Sequence, residues 1–437
     1  MKNKIVAFGT ISLHVLDEMT KSSIMKNRVE TFGCRLNAFE SKIIEANLPA
    51  EKDSARVVFN SCAVTSEAVR QVKQSIRKTR RRHPDVKIVV TGCAAQIDPD
   101  TFGQMPEVDH VIGNEEKLKP DIWSKLPDER LIVNDIMNVK ETAPQLVSGF
   151  KGRFRAFAQI QQGCDHRCTF CIIPYGRGNS RSVAIGEIVK QVRLLLENGY
   201  REFVLTGVDI TSYGSDLPGQ PRLGTMIKRL LKNVEGIERL RLSSLDPSEV
   251  DDDLLDLIAT EERLMPSLHL SVQAGSDLIL KRMKRRHLRD DVIKLAALLK
   301  EIRPNIVLGA DLIAGFPTET EEMFKQTVDL VSEAKLLHLH IFPYSARTGT
   351  PAAKMPQIAP NVRKVRAKLL RDAGAKLIAD HLSKRVGLNE TVLLEKNNTG
   401  YTDQFFPMTV SGNYKAGDIV TAKVDYIKGN TLVGTAL

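Results

Sequence analysis

Six cysteines fall into two triplets, with none left over. The tighter triplet reads Gly163-Cys164-Asp-His-Arg-Cys168-Thr-Phe-Cys171, a CxxxCxxC spacing that wraps three thiols around one centre within a single loop. Thiolates are soft ligands that favour iron–sulfur clusters or zinc, and ligand count separates the two. A structural zinc site takes four protein ligands, whereas a four-iron cluster held by three cysteines leaves one iron open to an outside group. The amino and carboxylate groups of S-adenosylmethionine can chelate that iron, where one electron breaks the sulfonium and gives a 5′-deoxyadenosyl radical, chemistry that no side chain supplies. His166 inside the loop is the alternative, as a fourth zinc ligand. Disulfides belong to oxidising compartments and fit thiols grouped by motif poorly.

The other three cysteines each follow an apolar β-type run and precede a helical stretch: Arg28-Val-Glu-Thr-Phe-Gly-Cys34, Ala55-Arg-Val-Val-Phe-Asn-Ser-Cys62 and Lys87-Ile-Val-Val-Thr-Gly-Cys93. Strands alternating with helices make a parallel sheet, and open α/β sheets place ligands at the carboxyl edge shared by the strand ends. Thiols far apart in sequence converge there. A lone cysteine at a strand end is often a small buried hydrophobe, but three at equivalent ends point to a second cluster with an open iron, able to hold sulfur for donation.

A polar stretch at 135–152 separates this unit from a longer one with strand-like runs at 154–163, 202–209, 239–245, 267–273, 306–313 and 338–344. Six βα units fit an incomplete barrel better than a closed one of eight. Gly207, Ser243, Gln273, Gly315-Phe-Pro317 and Pro343-Tyr-Ser345 stand where those strands meet their loops. From about residue 361 a basic helical stretch runs to about 385. Short β-type runs at 390–395, 405–410, 418–426 and 431–436 then suggest a small all-β barrel.

The 437 residues exceed one average domain, and 42% hydrophobic with 27% charged residues is an ordinary globular balance. No apolar run approaches the ~20 residues that cross a bilayer. Residues 5–16 are apolar but interrupted by His14 and lack a small-residue cleavage site beyond them, so 1–26 reads as an atypical extension, with translation starting at Met25. The net charge of +10 gathers in runs at 70–82, 281–289 and 363–385. These are solvated helix faces or the footprint of a polyanion.

Together these residues resemble the radical-SAM methylthiotransferases over nearly the whole chain. The likeness rests on Gly33-Cys34-Arg-Leu-Asn37, Asn60-Ser-Cys62-Ala-Val-Thr65, Thr91-Gly-Cys93, the CxxxCxxC loop, Leu205-Thr-Gly-Val-Asp-Ile-Thr-Ser-Tyr-Gly214, Gln273-Ala-Gly-Ser276, Gly309-Ala-Asp-Leu-Ile-Ala-Gly-Phe-Pro317 and Phe342-Pro-Tyr-Ser345. It implies an α/β architecture: a parallel-sheet methylthiotransferase domain at 27–140, a partial (β/α)6 radical-SAM barrel at 150–380 and a TRAM-like all-β barrel at 383–437. Gly-Cys-Arg-Leu-Asn followed by Glu40-Ser41 is similar to the MtaB branch, which acts on N6-threonylcarbamoyladenosine at position 37 of tRNA. The isopentenyladenosine branch more often carries Gly-Cys-Gln-Met-Asn, and the branch modifying an aspartate of ribosomal protein S12 carries Gly-Cys-Pro-Lys-Asn.

The resemblance further implies two 4Fe-4S clusters, one on Cys34, Cys62 and Cys93 and one on Cys164, Cys168 and Cys171. Two molecules of S-adenosylmethionine are then used, one to methylate sulfur at the first cluster and one to abstract hydrogen from C2 of the adenine. Phe170 would shield the radical cluster, and Thr206, Gly207, Ser243, Gln273 and Asp311 would hold S-adenosylmethionine unless each is simply a polar strand end. The expected setting is a cytoplasmic monomer, free of membrane, that binds a tRNA anticodon stem-loop and takes electrons from a flavodoxin or ferredoxin. One feature fits less well: residues 386–437 carry four Lys against five Asp or Glu, whereas an RNA-gripping module should be basic. The three basic runs are expected to contact phosphates instead.

Overall fold

The computed structural model describes residues 26–49, 55–140, 146, 147, 149, 154–396 and 398–437. The apolar run at 5–16 and the start at Met25 lie outside the described residues. The amino-terminal unit is one parallel sheet of five strands in chain order, β1 Arg28–Thr31, β2 Arg56–Ser61, β3 Lys87–Gly92, β4 His110–Ile112 and β5 Leu131–Ile132. The first three carry the apolar runs of the three cysteine repeats. Their order makes Cys34, Cys62 and Cys93 follow adjacent strands at one edge. β4 and β5 escape sequence reading because two or three residues carry no periodicity.

β6 Arg155–Gln159 opens the second unit, followed by a two-residue antiparallel pair, β7 Gln161–Gln162 and β8 Arg181–Ser182. β9 Glu202–Thr206, β10 Arg239–Leu242, β11 Ser267–Gln273, β12 Val307–Ala314 and β13 Leu336–Pro343 follow. Parallel pairing gives β6–β9–β10 and β11–β12–β13, joined by the bridge Leu245 to Leu270. The six expected strands thus form the open, partial barrel, edged among the described residues by β6 and β13. Its core is continuous with the amino-terminal unit, because the helix Arg35–Asn47 sends Phe39 and Ile43 into it while Ile44 packs under the first sheet with Val58, Val89 and Trp123.

The helix Pro360–Ser383 leads to a closed five-stranded barrel, β14 Asn389–Lys396, β15 Thr399–Thr402, β16 Pro407–Ser411, β17 Ile419–Lys428 and β18 Thr431–Ala436. β15 was not legible in the sequence. It is four residues long and holds Gly400, where an added Cβ would lie 1.9 Å from the Leu393 carbonyl oxygen, so the strand packs backbone on backbone. No helix among the described residues is long and apolar enough to cross a membrane.

The basic runs are less free than their composition suggested. Arg80 brackets Asp109 at 2.6 Å together with the Glu107 and Val86 carbonyls. In the second run Arg285 and Arg286 both reach Asp246, and Arg289 pairs with Glu333. In the third, Arg366 is buried against Glu319 at 2.8 Å. Arg80 thus fastens a loop of the amino-terminal unit, and the other arginines fasten loops of the partial barrel, while Arg77, Lys78, Arg81 and Arg82 of the first run remain exposed.

The two units are locked by a charge cluster removed from water. Glu40, with no solvent exposure, accepts from Lys117 Nζ at 2.7 Å, from Gln162 Nε2 at 3.1 Å and from both terminal nitrogens of Arg177. Burial alone would raise the Glu40 carboxyl, but Arg177 and Lys117 reverse this and hold it at about 2, against the ordinary 4.5. Removing one member of such a group strands the others, a loss of about 3–5 kcal/mol. Glu40→Ala is therefore expected to lower the unfolding free energy of the apo-protein, read from urea denaturation, by an amount in that range. Because the folded value is depressed, wild-type stabilisation is complete above pH 4.5 and disappears as pH falls toward about 2. Glu40→Gln should flatten that part of the stability–pH curve.

Candidate active site

Two glycines set the first thiol triplet. Gly33 has φ +96°, and a Cβ there would lie 2.7 Å from Cys62 Sγ; Gly92 has φ +92°, and its Cβ would lie 2.3 Å from the Ser61 carbonyl oxygen. Only glycine permits both the backbone angle and the close approach. Side-chain amides then tie the loops together. Asn37 donates to the carbonyls of Phe32 at 2.7 Å and Ser61 at 3.0 Å, and Asn60 donates to the Asn37 carbonyl at 3.0 Å. Ser61 Oγ donates to the Thr91 carbonyl at 2.5 Å. Cys62 and Cys93 are buried, whereas Cys34 retains exposed surface. Burial pushes the Cys62 thiol up to about 12, and the nearby Cys34 and Cys93 sulfurs add to the effect. Burial likewise raises Cys34 although it touches solvent, as expected for a side chain lining a hollow enclosed by protein.

The second triplet is built by its own loop. The Cys171 amide donates to the Cys168 carbonyl at 3.0 Å, and the Cys164 amide donates to Gly178 at 3.1 Å. Arg285 Nη1 lies 3.7 Å from Cys168 Sγ, and burial lifts Cys171 to about 12. His166 Nε2 meets the Asp209 carboxylate at 2.8 Å and Glu249 at 3.6 Å, and its ring nitrogen, Cys164 Sγ and an Asp209 oxygen all lie within 4.8 Å of one another, so it stays beside the first thiol of the loop. Phe170 packs edge-on to Phe316, with centroids 6.4 Å apart, beside Met283 and Tyr344. The short helix Ile173–Arg177 leaves this loop and meets the first triplet. Gly176 is so near Cys93 that an added Cβ would lie 3.2 Å from the Cys93 Cβ, and Arg177 Nε donates to Cys93 Sγ at 3.1 Å.

Thr206, Gly207 and Ser243 stand together at the ends of β9 and β10, where the Ser243 amide donates to the Leu205 carbonyl at 3.0 Å. Gln273 ends β11 with φ +74°, a conformation side-chain-bearing residues seldom adopt. Asp311 departs from this set. It lies mid-strand in β12, accepting from His269 Nε2 at 3.0 Å and His340 Nδ1 at 3.1 Å. Despite burial, the two histidines hold its carboxyl well below the ordinary range. Arg35 approaches the same hollow from the amino-terminal unit. Burial and the facing Arg155 and Arg241 pull its guanidinium down to about 10. Arg177 was not singled out in the sequence, and Arg35 and Arg285 appeared there only as parts of the Gly-Cys-Arg-Leu-Asn motif and of the basic run 281–289, with no role of their own.

Residues 159–331 match the radical SAM superfamily, and residues 26–113 match a family described as uncharacterized protein family UPF0004. The threonylcarbamoyladenosine tRNA methylthiotransferase MtaB of Rickettsia prowazekii (strain Madrid E) is 52% identical across 92% of this chain and 95% of that protein. The chain belongs to the MtaB family. Another protein of that family, from Aquifex aeolicus (strain VF5), is 36% identical across 91% of this chain and 99% of its own length. The radical S-adenosylmethionine methyltransferase TsrM from Kitasatospora setae, solved with cobalamin and an iron–sulfur cluster bound, superposes with a TM-score of 0.54 at 16% identity. That match covers 73% of this chain and 69% of that one, a likeness of fold.

For an MtaB family member, the donor chemistry fits two clusters. Each triplet offers three free thiols, and the chain's six cysteines leave no fourth for either. With burial raising the Cys34, Cys62 and Cys171 thiols, metal loading releases protons. Arg177 beside Cys93 and Arg285 beside Cys168 offset the negative charge that follows. Since a Cβ at Gly92 overlaps backbone and Cys93 is the next residue, Gly92→Ala is expected to displace that thiol. Bound iron after anaerobic reconstitution should fall from about eight to about four per chain, measured by iron assay, while 5′-deoxyadenosine formation persists.

Proposed function

We propose that this chain converts N6-threonylcarbamoyladenosine at position 37 of tRNA to its 2-methylthio derivative. The observation that carries this reading is the pair of three-thiol sites joined by the five-residue helix Ile173–Arg177, in a chain of the MtaB family. Cys164, Cys168 and Cys171 hold one cluster and Cys34, Cys62 and Cys93 the other. Bound there, the clusters and S-adenosylmethionine supply a 5′-deoxyadenosyl radical and a methylthio sulfur. The protein's own part is placement. Phe170, seated on Phe316, covers one side of the radical site and excludes water. Thr206, Gly207, Ser243 and Gln273 line the strand ends where S-adenosylmethionine is held.

Ser345, in the loop after β13, accepts from the Ser66 amide at 3.1 Å, so the barrel's open end is roofed by the amino-terminal unit. The substrate base enters between the two. The anticodon stem-loop is the tRNA element bound, a flavodoxin or ferredoxin delivers electrons, and the enzyme works as a cytoplasmic monomer.

Anaerobically reconstituted protein with dithionite, S-adenosylmethionine and a modified stem-loop should yield 2-methylthio product by nucleoside mass spectrometry. Cys168→Ala is expected to abolish 5′-deoxyadenosine formation. Cys62→Ala should retain part of it while forming no methylthio product. Methylthiolation by Cys62→Ala would remove the first triplet from the reaction, and protein that loads zinc in place of iron would overturn the whole reading.

A further inference from the structure

The hollow of the partial barrel contains one cation with nothing to neutralise it. Arg35 is partly buried, and among the described residues it has no hydrogen-bond or ion-pair partner. Its strongest charged neighbours are Arg155 and Arg241, ahead of Asp311 and Glu202. Both acids are already committed. Glu202 pairs with Arg241 at 2.9 Å and Arg239 at 2.8 Å, and Asp311 is shared by His269 and His340. The two facing arginines are likewise engaged, Arg155 by Glu395 at 2.6 Å and Arg241 by Glu202 and the Thr402 carbonyl. A charge held half-buried among other cations is ordinarily paired. Arg35 is built to be paired by something that arrives.

We propose that Arg35 receives the threonyl carboxylate of N6-threonylcarbamoyladenosine and so selects this substrate. The inference rests on the proposed function and adds the residue that reads the side chain. A guanidinium presents two parallel N–H donors that match a carboxylate, and its affinity grows where water is scarce. Position agrees with chemistry. Arg35 directly follows Cys34, a thiol of the sulfur-donating triplet, and the helix Arg35–Asn47 begins with it. The adenine ring carries both N6 and C2, so whatever reads the N6 substituent must stand close to where sulfur reaches C2. An uncharged N6 substituent would leave Arg35 unpaired and gain nothing from it.

Two carboxylates come to this enzyme, that of the threonyl group and that of S-adenosylmethionine, and the test separates them. Stem-loops bearing the threonyl acid and its primary amide are compared under anaerobic turnover. Wild-type protein is expected to favour the acid by about 30-fold or more in kcat/KM, the cost of leaving a buried charge unpaired. In Arg35→Gln the preference should collapse to about unity through loss on the acid, and Arg35→Lys should restore part of it. Equal rates on acid and amide with wild-type protein would overturn the proposal while leaving the function intact, and they need no variant to fold. Loss of RNA-independent 5′-deoxyadenosine formation in Arg35→Gln would assign the residue to S-adenosylmethionine and also overturn it. Wild-type protein that leaves the acid unmodified would instead bring down the functional reading itself.

Discussion

Arg177 is almost wholly removed from solvent, and neither domain alone can satisfy it. The radical-SAM unit carries this guanidinium on the helix that leaves the CxxxCxxC loop. Of its acceptors, Asn37, Glu40 and Cys93 belong to the amino-terminal unit and only Gln162 to its own. An unpaired guanidinium at this depth would cost several kcal/mol, so the native fold requires the two units in one relation. That relation fixes the spacing between the thiol triplets, on which the proposed transfer of sulfur from one to a carbon activated at the other depends. Asn37 shows the economy of the arrangement, because one side chain both closes the Cys34 loop on Ser61 and accepts from Arg177.

Much of this was legible beforehand, for a physical reason. Strands β2 and β3 each end next to a cysteine and β1 ends three residues before one, and the parallel sheet turns that repetition into proximity. The six barrel strands carry long apolar runs and read correctly. What stayed hidden depends on tertiary neighbours. Asp311 reads as one more polar strand residue within reach of a cofactor, yet its partners His269 and His340 sit on β11 and β13, tens of residues away in sequence. Glu40 and Lys117 are a helix charge and a loop charge until folding removes both from water.

Charge runs illustrate the same limit. A count of arginines at 281–289 cannot distinguish an RNA footprint from a set of internal brackets. Arg285 and Arg286 converge on Asp246, whose carboxyl is held far below its usual range despite burial, by His287 and these arginines. Arginine serves this use because several donors in a fixed plane can satisfy an acid and nearby carbonyls at once. Lys281 and Lys284, on the same run, are exposed and make no such contacts.

The carboxyl-terminal barrel shows why its overall charge misleads. Three of its five acids face the rest of the molecule: Glu390 pairs with Arg385, Glu395 with Arg155 at 2.6 Å, and Asp403 with Arg239 at 2.5 Å. Between β15 and β16, Phe405 adopts φ +68° and lies under the cations of Arg155 at 4.8 Å and Arg241 at 4.9 Å. Arg155 and Arg239 begin their strands, so this turn floors the amino end of the partial barrel. With those acids neutralised at the joint, the surface left over carries exposed Lys396, Lys415, Lys423 and Lys428 against exposed Asp425 and half-buried Asp418. A module that is near neutral by count thus leaves more lysine than acid on its outer surface, the sign that attracts a phosphate backbone. Two of its acids, Glu395 and Asp403, anchor it to the partial barrel through Arg155 and Arg239.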